Sequence, residues 1–361
     1  MRGVTVAICC YNSATRLRPT LEHLLAQVGA APHSWEVLLV DNGSKDGTAA
    51  VARQVWTSQE VPLRIVTEPQ SGVMYARKRA FDEAAFEYVS FVDDDNWVCA
   101  HWVSDVVRIM EANPNIAALG ARSEPVFEIP PPPWFEGFQG CYAVGQQWPE
   151  GGDVTVGRGF LWTAGLTIRK TAWRQIVALG FRCQLEGRRG FALTAGEDNE
   201  FCQALRLAGW CLYLEPGLWF RHFIPARRLK WDYFRQLVMN FGISGILLDV
   251  YQWCYSDAKA PWHHCFSDHW LHPAVSAIKA LAVRPVATAR ILSGGGVGHP
   301  AAYHVYFHYG RLQSALQMRG RYNAAFRSIS QCAQALKNSR RNAARNADDT
   351  AEPAAAASTN R

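Results

Sequence analysis

The chain has 361 residues, of which 49% are hydrophobic and 19% are charged, and its formal net charge is +6. This ordinary globular composition can bury a sizeable core in one large domain or two smaller ones. The charge is uneven, because residues 1–225 carry a net −4 and residues 226–361 a net +10. A basic C-terminal part indicates either an anionic partner, such as phospholipid, a lipid diphosphate or nucleic acid, or a solvated surface with a basic tail.

The cysteines and the N terminus indicate a cytoplasmic protein. Ten cysteines are scattered without a CxxC pair or the spacing of a disulfide framework, so reduced thiols are expected. The apolar run VTVAICC is too short for the hydrophobic region of a signal peptide and predicts a first strand. No stretch approaches about 18 uninterrupted apolar residues, so no transmembrane helix is expected. We therefore expect a soluble protein, or one that is peripheral at the inner face of the cell membrane.

Strand and helix signals alternate through the first hundred residues. Buried strands are predicted at VTVAIC, EVLLV (36–40), LRIV (63–66) and YVSFV (88–92). Helices are predicted between them, the first with Ser13 as its N-cap, the second ending near Trp56 and the third running from about Gly72 to Phe86. This alternation is typical of a parallel α/β fold, in which the carboxyl ends of the strands meet at one edge. The residues expected to converge at that edge are Tyr11, Asp41, Asp93, Asp94 and Asp95.

Three consecutive carboxylates end the fourth predicted strand, in the segment YVSFVDDDNWV. Packed side by side they repel one another, and burying them is costly unless a cation or hydrogen bonds compensate. A divalent metal, Mg²⁺ or Mn²⁺, is a suitable cation, since it takes oxygen ligands and bridges protein carboxylates to substrate phosphates. A solvated acidic turn is the alternative.

After the first hundred residues the regular alternation of strands and helices ends. The proline-rich segment 128–138 predicts an extended loop, whose Trp134 and Phe135, together with Trp148, either line an acceptor groove or clasp onto the core. A strand and then a helix are predicted over 161–176, and a further helix over 196–210, which ends at Gly209. From residue 226 the sequence becomes helical and basic, and residues 338–361 are predicted to be disordered.

A nucleotide diphosphate would use every polar group at the predicted strand edge. Tyr11 can stack on a base, and Asp41 can accept a hydrogen bond from a base N–H. Asp93 or Asp94 can accept from ribose hydroxyls, and Asp95 can hold a metal on the diphosphate. Each assignment has a structural alternative, such as packing for a tyrosine at a strand end. Their order along a β-α-β framework carries the prediction.

With these motifs in place, the first 225 residues resemble the family 2 glycosyltransferases, an inverting group with the GT-A fold. The motifs that carry the resemblance appear in the family's order: VTVAICCYNSATRLRPTLEHLLAQ, WEVLLVDNGSKDGT, EPQSGVMYARKRAF, YVSFVDDDNWV and GED at 196–198. The resemblance implies a Rossmann-like, mixed but mainly parallel sheet flanked by helices. The expected architecture is a GT-A domain at 1–225, a helical, basic C-terminal region at 226–337 and a tail at 338–361.

The resemblance also implies roles for individual residues. Tyr11 and Asp41 hold the nucleobase, and Arg77 supports the nucleotide. Asp93 and Asp94 lie by the ribose, and Asp95 binds the metal in the family's DXD motif.

The acidic pair of the GED motif supplies the catalytic base. Asp198 is the first choice for this base and Glu197 the second. His222 matches a position where many relatives place a histidine near the metal or diphosphate, although a structural histidine is the alternative.

The chemistry can be argued from the residues as well. Inverting transfer needs one carboxylate to take the proton of the acceptor hydroxyl. Asp198 suits this role, because a helix N terminus favours its ionised form, at some expense in basicity. On the other side of the sugar, a metal at Asp95 would neutralise the departing diphosphate.

These residues predict transfer of a sugar from a nucleotide-sugar donor, expected to be a UDP-sugar, to an acceptor hydroxyl in cell-surface polysaccharide or glycoconjugate synthesis. A nucleotidyltransferase that makes a nucleotide sugar is one alternative, but it would carry a glycine-rich phosphate loop where CCYNSATRLRP stands. A non-catalytic nucleotide-sugar-binding protein is the other, and the presence of the metal and base positions argues against it. No GxGxxG follows a strand, which excludes a Rossmann dehydrogenase.

The basic C-terminal region departs from the family pattern. It could cover the active site, bind a lipid-linked or other acceptor, form an oligomer contact or lie on a membrane. The segment RRLKWDYFRQL suits an interfacial helix near anionic lipid, while a packed amphipathic helix that closes the core is the preferred alternative. We expect peripheral membrane contact rather than binding of nucleic acid.

Overall fold

The computed structural model describes residues 1–31, 34–185, 196–255 and 268–356, with side chains up to residue 342. The first 91 residues alternate strands and helices as the sequence predicts. The strands are β1 (Val4–Cys10), β2 (Trp35–Asp41), β3 (Leu63–Thr67) and β4 (Tyr88–Phe91). The helices between them are α1 (Leu17–Leu25), α2 (Thr48–Val55) and α3 (Val73–Glu83). These four strands pair in parallel, in the order β3-β2-β1-β4.

The middle of the chain extends this sheet with antiparallel and parallel partners. Its strands are β5 (Asn96–Val98), β6 (Ile116–Phe127), β7 (Gly152–Asp153), β8 (Leu166–Arg169) and β9 (Cys211–Ile224). Its helices are α4 (Trp102–Ala112), α5 (Lys170–Ala178) and α6 (Glu197–Leu207). β8 runs antiparallel to both β4 and β6, and β5 runs antiparallel to β9. The result confirms the predicted mixed sheet flanked by helices.

Side chains alternate between two cores on the faces of this sheet. Along β1, Val4, Val6 and Ile8 pack into a core beneath α1 and α4. Ala7 points into the opposite core, which contains residues of α3, α5 and α6. This alternation explains the continuous apolar run of the first strand, because a strand covered on both faces needs no polar side.

The C-terminal region is helical and shares a core with the first 225 residues. After a short 3₁₀ turn at Ala226–Leu229 come α7 (Trp231–Tyr255), α8 (Leu271–Ala282), α9 (Pro285–Arg290), a π-helical turn at Ile291–Gly295, α10 (Ala302–Gln317) and α11 (Tyr322–Ala356). Val250 of α7 and Ile329 of α11 belong to the same core as Phe201 of α6. The helices therefore complete the fold of the sheet domain.

Close contact between α7 and α10 depends on glycine. A Cβ atom on Gly242 would lie 2.0 Å from the carbonyl oxygen of Phe307. A Cβ on Gly310 would lie 2.1 Å from the carbonyl oxygen of Met239. Each helix thus places a glycine against the backbone of the other, and no larger residue fits at this separation.

α7 is the one helix in the described ranges that is long and apolar enough to cross a bilayer, judged by length and composition alone. Half of that apolar stretch is buried inside the protein. Phe234 and Leu237 of α7, with Leu229 before it, are buried in a third core together with Tyr306 of α10. The segment RRLKWDYFRQL is therefore the packed helix of the two alternatives.

Two local predictions differ from the structure, and a third had left two alternatives between which the structure decides. Ser13 is not the N-cap of the first helix, because α1 begins at Leu17 and the Ser13 hydroxyl bonds to Asp94 instead. The tail predicted to be disordered from residue 338 is helical as far as Ala356, where α11 ends. In the proline-rich segment, Phe135 is buried in the third core, so this segment clasps onto the core.

Candidate active site

A cleft of about 1400 Å³ opens at the edge where β1 and β4 end. Its floor contains the acidic residues 93–95, and the N-terminal ends of α3 and α6 face it. Side chains of α7 and α10 complete the wall. Most of the predicted site residues line this one cleft: Tyr11, Arg77, Asp93, Asp94, Asp95, Glu197, Asp198 and His222.

The three carboxylates after β4 have different partners. Asp94 is buried, and Arg16 donates to it from Nε at 2.8 Å and from Nη2 at 2.7 Å. The Ser13 hydroxyl also donates to Asp94. Burial, followed by the charge of Asp95, raises the pKa of Asp94 despite these partners. Asp93 is only half-buried and lines the cleft.

Asp95 lies in a cluster with His222 and Arg228. Its Oδ1 is 3.7 Å from His222 Nε2, and its Oδ2 is 3.2 Å from Arg228 Nη2. Arg228 Nη1 also lies 3.2 Å from His222 Nε2. The antiparallel pairing of Asn96 with His222 in β5 and β9 brings these groups together across more than a hundred residues of sequence.

The residues of this cluster fit a divalent ion held mainly by a substrate diphosphate. Within the described ranges, no three His, Cys, Asp or Glu side chains converge on one point. Asp95 and His222 nevertheless offer an oxygen and a nitrogen donor 3.7 Å apart. Mg²⁺ and similar ions are often bound by one or two protein groups together with substrate phosphates. Asp94 does not fit this role, because Arg16 and Ser13 already occupy its oxygens.

Arg77 and Glu197 form a buried ion pair across the cleft wall. Arg77 Nη1 lies 2.6 Å from Glu197 Oε1, and both residues are about 6% exposed. Burial lowers the pKa of Arg77, but the charges of Glu197 and Asp93 outweigh it and the net pKa is raised. Arg77 is therefore a fixed positive charge beside Asp93, which is consistent with a role near the nucleotide.

Asp198 is the second residue of α6, and Gly196 sets its position. Gly196 has a φ of 113°, a conformation that L side chains rarely adopt, and it turns the chain into the helix. The backbone N–H of Asn199 donates to Asp198 Oδ1 at 2.8 Å, and that of Thr163 donates to Oδ2 at 3.2 Å. These two bonds fix the carboxylate at the edge of the cleft.

From its place at a helix N terminus, the sequence predicts that the ionised form of Asp198 is favoured and its basicity reduced. The structure indicates the opposite net effect on its pKa. Burial, followed by the negative charge of Glu197, raises the pKa of Asp198. Arg77 and the backbone hydrogen bonds act in the opposite direction but are outweighed. A raised pKa makes this carboxylate a stronger base than an exposed aspartate.

Of the two residues predicted to bind the nucleobase, one lines the cleft and the other does not. Tyr11 follows β1 and lines the cleft with 45% of its surface exposed. Asp41 ends β2 at the same edge, where its Oδ1 accepts a bond from the backbone N–H of Ser44, but it does not line the cleft. Its neighbour Asn42 does. The base contact assigned to Asp41 stays a prediction.

The structure adds site residues that the sequence analysis did not single out. They are Arg16, Arg158, Thr163 and Arg228. Arg228 is half-buried. Burial lowers its pKa, but the negative charge of Asp95 raises it, and the net pKa of Arg228 is raised. Arg158 stacks over the rings of Phe160 and Trp162, with centroid distances of 4.3 and 5.3 Å. Arg16 and Arg228 each follow a strand, but their acidic partners Asp94 and Asp95 are distant in sequence, so no local pattern indicates these pairs.

The family model of glycosyl transferase family 2 matches residues 5–155, which include the first four strands and the acidic cluster. Among curated relatives, the succinoglycan biosynthesis protein ExoM of Rhizobium meliloti is 23% identical over 233 residues, which are 63% of this chain and 70% of ExoM. The teichuronic acid glycosyltransferase TuaG of Bacillus subtilis, described as putative by its name, is 35% identical over 95 residues, 26% of this chain and 36% of TuaG.

Solved structures show the same fold at low identity. The mannosyltransferase PcManGT of Pyrobaculum calidifontis, in complex with GDP-Man and Mn²⁺, matches with a TM-score of 0.52 and 17% identity over 90% of this chain and 88% of that one. S. aureus TarS 1-349 with UDP-GlcNAc matches with a TM-score of 0.50 and 15% identity over 94% and 92%. The sheet, its acidic edge and these matches agree with the resemblance seen in the sequence. Over residues 5–155 the chain is similar to glycosyl transferase family 2, as its sequence motifs predict.

Proposed function

We propose that this protein transfers a sugar, with inversion, from a nucleotide-sugar donor to an acceptor hydroxyl in polysaccharide or glycoconjugate synthesis. The observation that carries the proposal is Asp198, a half-buried carboxylate with a raised pKa held by two backbone N–H groups in the same cleft as the acidic strand end. A base on one side and a phosphate-binding edge on the other are what an inverting displacement requires.

Asp198 acts on the acceptor. Its carboxylate takes the proton of the acceptor hydroxyl while that oxygen forms a bond to the anomeric carbon. The bond between the anomeric carbon and the donor phosphate breaks on the opposite face, and its electrons leave with the diphosphate. No covalent enzyme intermediate is needed. We propose Asp198 as the base and assign Glu197 to the buried ion pair with Arg77, whose Nη1 lies 2.6 Å from Glu197 Oε1.

The donor is proposed to lie along the strand edge. Tyr11 and Asp41 are assigned to the base, and Arg77 supports the nucleotide beside Asp93. We assign the ribose contact to Asp93, because the oxygens of Asp94 are occupied by Arg16 and Ser13. The similar proteins were solved with UDP-GlcNAc or with GDP-Man and Mn²⁺, which supports a nucleotide-sugar donor, and we propose a UDP-sugar.

Charge on the leaving diphosphate is proposed to be neutralised at the Asp95 cluster. Asp95 and His222 would hold a divalent ion, Mg²⁺ or Mn²⁺, which supplies positive charge to the diphosphate when bound. Arg228, 3.2 Å from both Asp95 and His222, adds a positive charge of the protein itself. The similarity to ExoM, a succinoglycan biosynthesis protein, supports a polysaccharide or glycoconjugate as the product.

A donor-hydrolysis screen tests the proposal. UDP-sugars and GDP-mannose are incubated with the protein and Mn²⁺ or Mg²⁺, and release of the nucleoside diphosphate is measured for the wild type, Asp95→Ala and Asp198→Asn. Release from one donor class that both substitutions reduce supports the proposal. Activity insensitive to both would refute the assigned site, and release of pyrophosphate from a nucleoside triphosphate and a sugar phosphate would indicate a nucleotidyltransferase instead.

A further inference from the structure

Helix α8 presents its large apolar side chains to solvent. Leu271, Val275 and Ile278 recur every three or four residues, so they share one face, and they are 47, 45 and 52% exposed. The opposite face is buried and carries small residues, Ala274 and Ala277. An ordinary surface helix places its large apolar residues inside. In α8 the large apolar side chains thus face solvent and the small ones face the protein, the reverse of a helix that only closes a core.

Exposed apolar residues continue after α8. We define the α8–α9 surface by the exposed aliphatic residues of this part of the chain: Leu271, Val275, Ile278, Val283, Val286, Leu292 and Val297. Val286, in the six-residue helix α9, is 81% exposed. Half of the exposed large hydrophobic residues in the described ranges thus lie within 27 consecutive positions, 271–297. Such a concentration marks an interaction surface.

The charge of the surrounding sequence is of one sign. Residues 269–347 contain no Asp or Glu but eleven Lys and Arg. Three of these, Lys279, Arg284 and Arg290, lie within the α8–α9 surface and are exposed. A protein interface would tolerate charges of both signs at its rim, whereas an anionic bilayer is complemented by cations alone.

We propose that the α8–α9 surface docks on an anionic phospholipid bilayer, with its aliphatic side chains in the interfacial layer and its cations among the headgroups. This partner explains both the exposed aliphatic face and the absence of acidic residues. The segment RRLKWDYFRQL, whose composition also suited an interfacial helix, does not form this contact because Leu229, Phe234 and Leu237 are buried.

The α8–α9 surface also adjoins the opening of the cleft. Val297 is three residues before Pro300, and Pro300 and Tyr303 line the cleft. A bilayer bound here would lie near the part of the cleft wall that α7 and α10 form. The docking proposal does not depend on the identity of the sugar donor.

Vesicle flotation tests the proposal with the full-length protein. The probes are phosphatidylcholine vesicles with and without phosphatidylglycerol. The apolar test variant is Val275→Ser/Ile278→Ser, and its matched control is Val156→Ser, at a residue that is 76% exposed outside the surface. The charge variant is Arg284→Gln/Arg290→Gln, and its control is Arg53→Gln/Arg108→Gln, on α2 and α4. Melting temperature and donor hydrolysis establish that each variant is folded.

We expect the wild type to float with the phosphatidylglycerol vesicles. The apolar variant should bind at least about tenfold more weakly, since two aliphatic side chains no longer enter the interface. The charge variant should lose about fivefold for each cation removed. Raising the salt from about 0.1 M to about 1 M, which shortens the Debye length from about 10 Å to about 3 Å, should weaken binding of the wild type. Both controls should bind as the wild type does.

Three outcomes would overturn the proposal. The first is a folded wild type that floats with neither kind of vesicle, and the second is an apolar variant that floats as well as Val156→Ser. The third is a wild type that self-associates in sedimentation without vesicles and becomes monomeric through Val275→Ser/Ile278→Ser. That result would show that a second copy of the chain covers the surface.

Discussion

Replacement of Asp198 by asparagine tests the base directly. The change keeps the shape of the side chain, and the amide oxygen can still accept from the backbone N–H of Asn199, now 2.8 Å from Oδ1. The amide nitrogen cannot accept from Thr163, so one hydrogen bond is lost, at about 1 kcal/mol. Loss of a half-buried negative charge next to Glu197 offsets part of that cost. Stability should therefore change little.

Activity should change much more than stability. General-base catalysis contributes about 10²–10⁴-fold, so kcat for sugar transfer should fall by that factor, equivalent to about 3–5 kcal/mol in the barrier. The KM for the donor should hold, because Asp198 is assigned to the acceptor side. Steady-state transfer kinetics and a thermal melt on the same preparation measure both effects. A variant that retains more than about a tenth of the wild-type kcat would refute the assignment of the base.

Glu197→Gln is the matched comparison for that experiment. It removes one partner of the Arg77 pair at 2.6 Å and leaves a buried guanidinium without its counter-charge, at about 3–5 kcal/mol. The melting temperature should therefore be lower than that of the wild type in Glu197→Gln and close to that of the wild type in Asp198→Asn. If Asp198→Asn were the less stable of the two, Asp198 would be a structural residue.

The pH dependence gives the same assignment a second test. The base works when deprotonated, so kcat/KM falls as the pH falls through the pKa of Asp198. That pKa is raised by burial and by Glu197. The acid limb of the pH profile, where kcat/KM falls, should therefore lie at a higher pH than the usual pKa range of an exposed aspartate. Glu197→Gln removes the like charge and should move the limb to lower pH. If the acid limb of Glu197→Gln moved to higher pH, or did not move, the result would contradict the charge interaction between Glu197 and Asp198.

Three further substitutions have distinct expected outcomes. Asp95→Ala should lower kcat/KM for the donor by about 10²–10³-fold and raise the Mn²⁺ concentration needed for half activity, measured by titrating the ion; unchanged metal dependence would contradict the metal role. Asp94→Asn should change the unfolding free energy by at most about 1 kcal/mol in a denaturant titration, because relief of burial and of the Asp95 charge offsets the weakened pair with the partly exposed Arg16 at 2.7 Å. Gly242→Ala should lower the melting temperature through a backbone clash with Phe307, at about 1–3 kcal/mol, while Gly320→Ala, with open space, should not.

The order of elements in the first half followed from the sequence, because each strand there is a short apolar run followed by a turn signal. β1, β2, β3 and β4 lie within a residue or two of their predicted positions. The first helix is less well predicted, since Ser13 looks like a cap in isolation. In the folded chain its hydroxyl bonds to Asp94, 81 residues away. Local capping signals fail where a long-range partner competes.

The helical tail was missed for a related reason. The composition of residues 338–361, rich in Ala, Asn, Arg and Ser, lacks the apolar residues needed for a core and predicts disorder. Before that point α11 buries Ile329, Ala333 and Leu336 against the sheet domain, and the helix continues from this anchored part to Ala356. Helix formation is cooperative, so an anchored turn supports those that follow.

The sequence by itself determined the motif order, the α/β sheet and the convergence of Tyr11 and Asp93–Asp95 at one edge of that sheet. These follow from local periodicity and from the rule that parallel strands end at one edge. Only the tertiary structure decided the state of each carboxylate: Asp94 is paired with Arg16, Asp95 lies beside Arg228, and burial raises the pKa of Asp198. Burial and partners distant in the chain fix these properties, and no local pattern encodes either one.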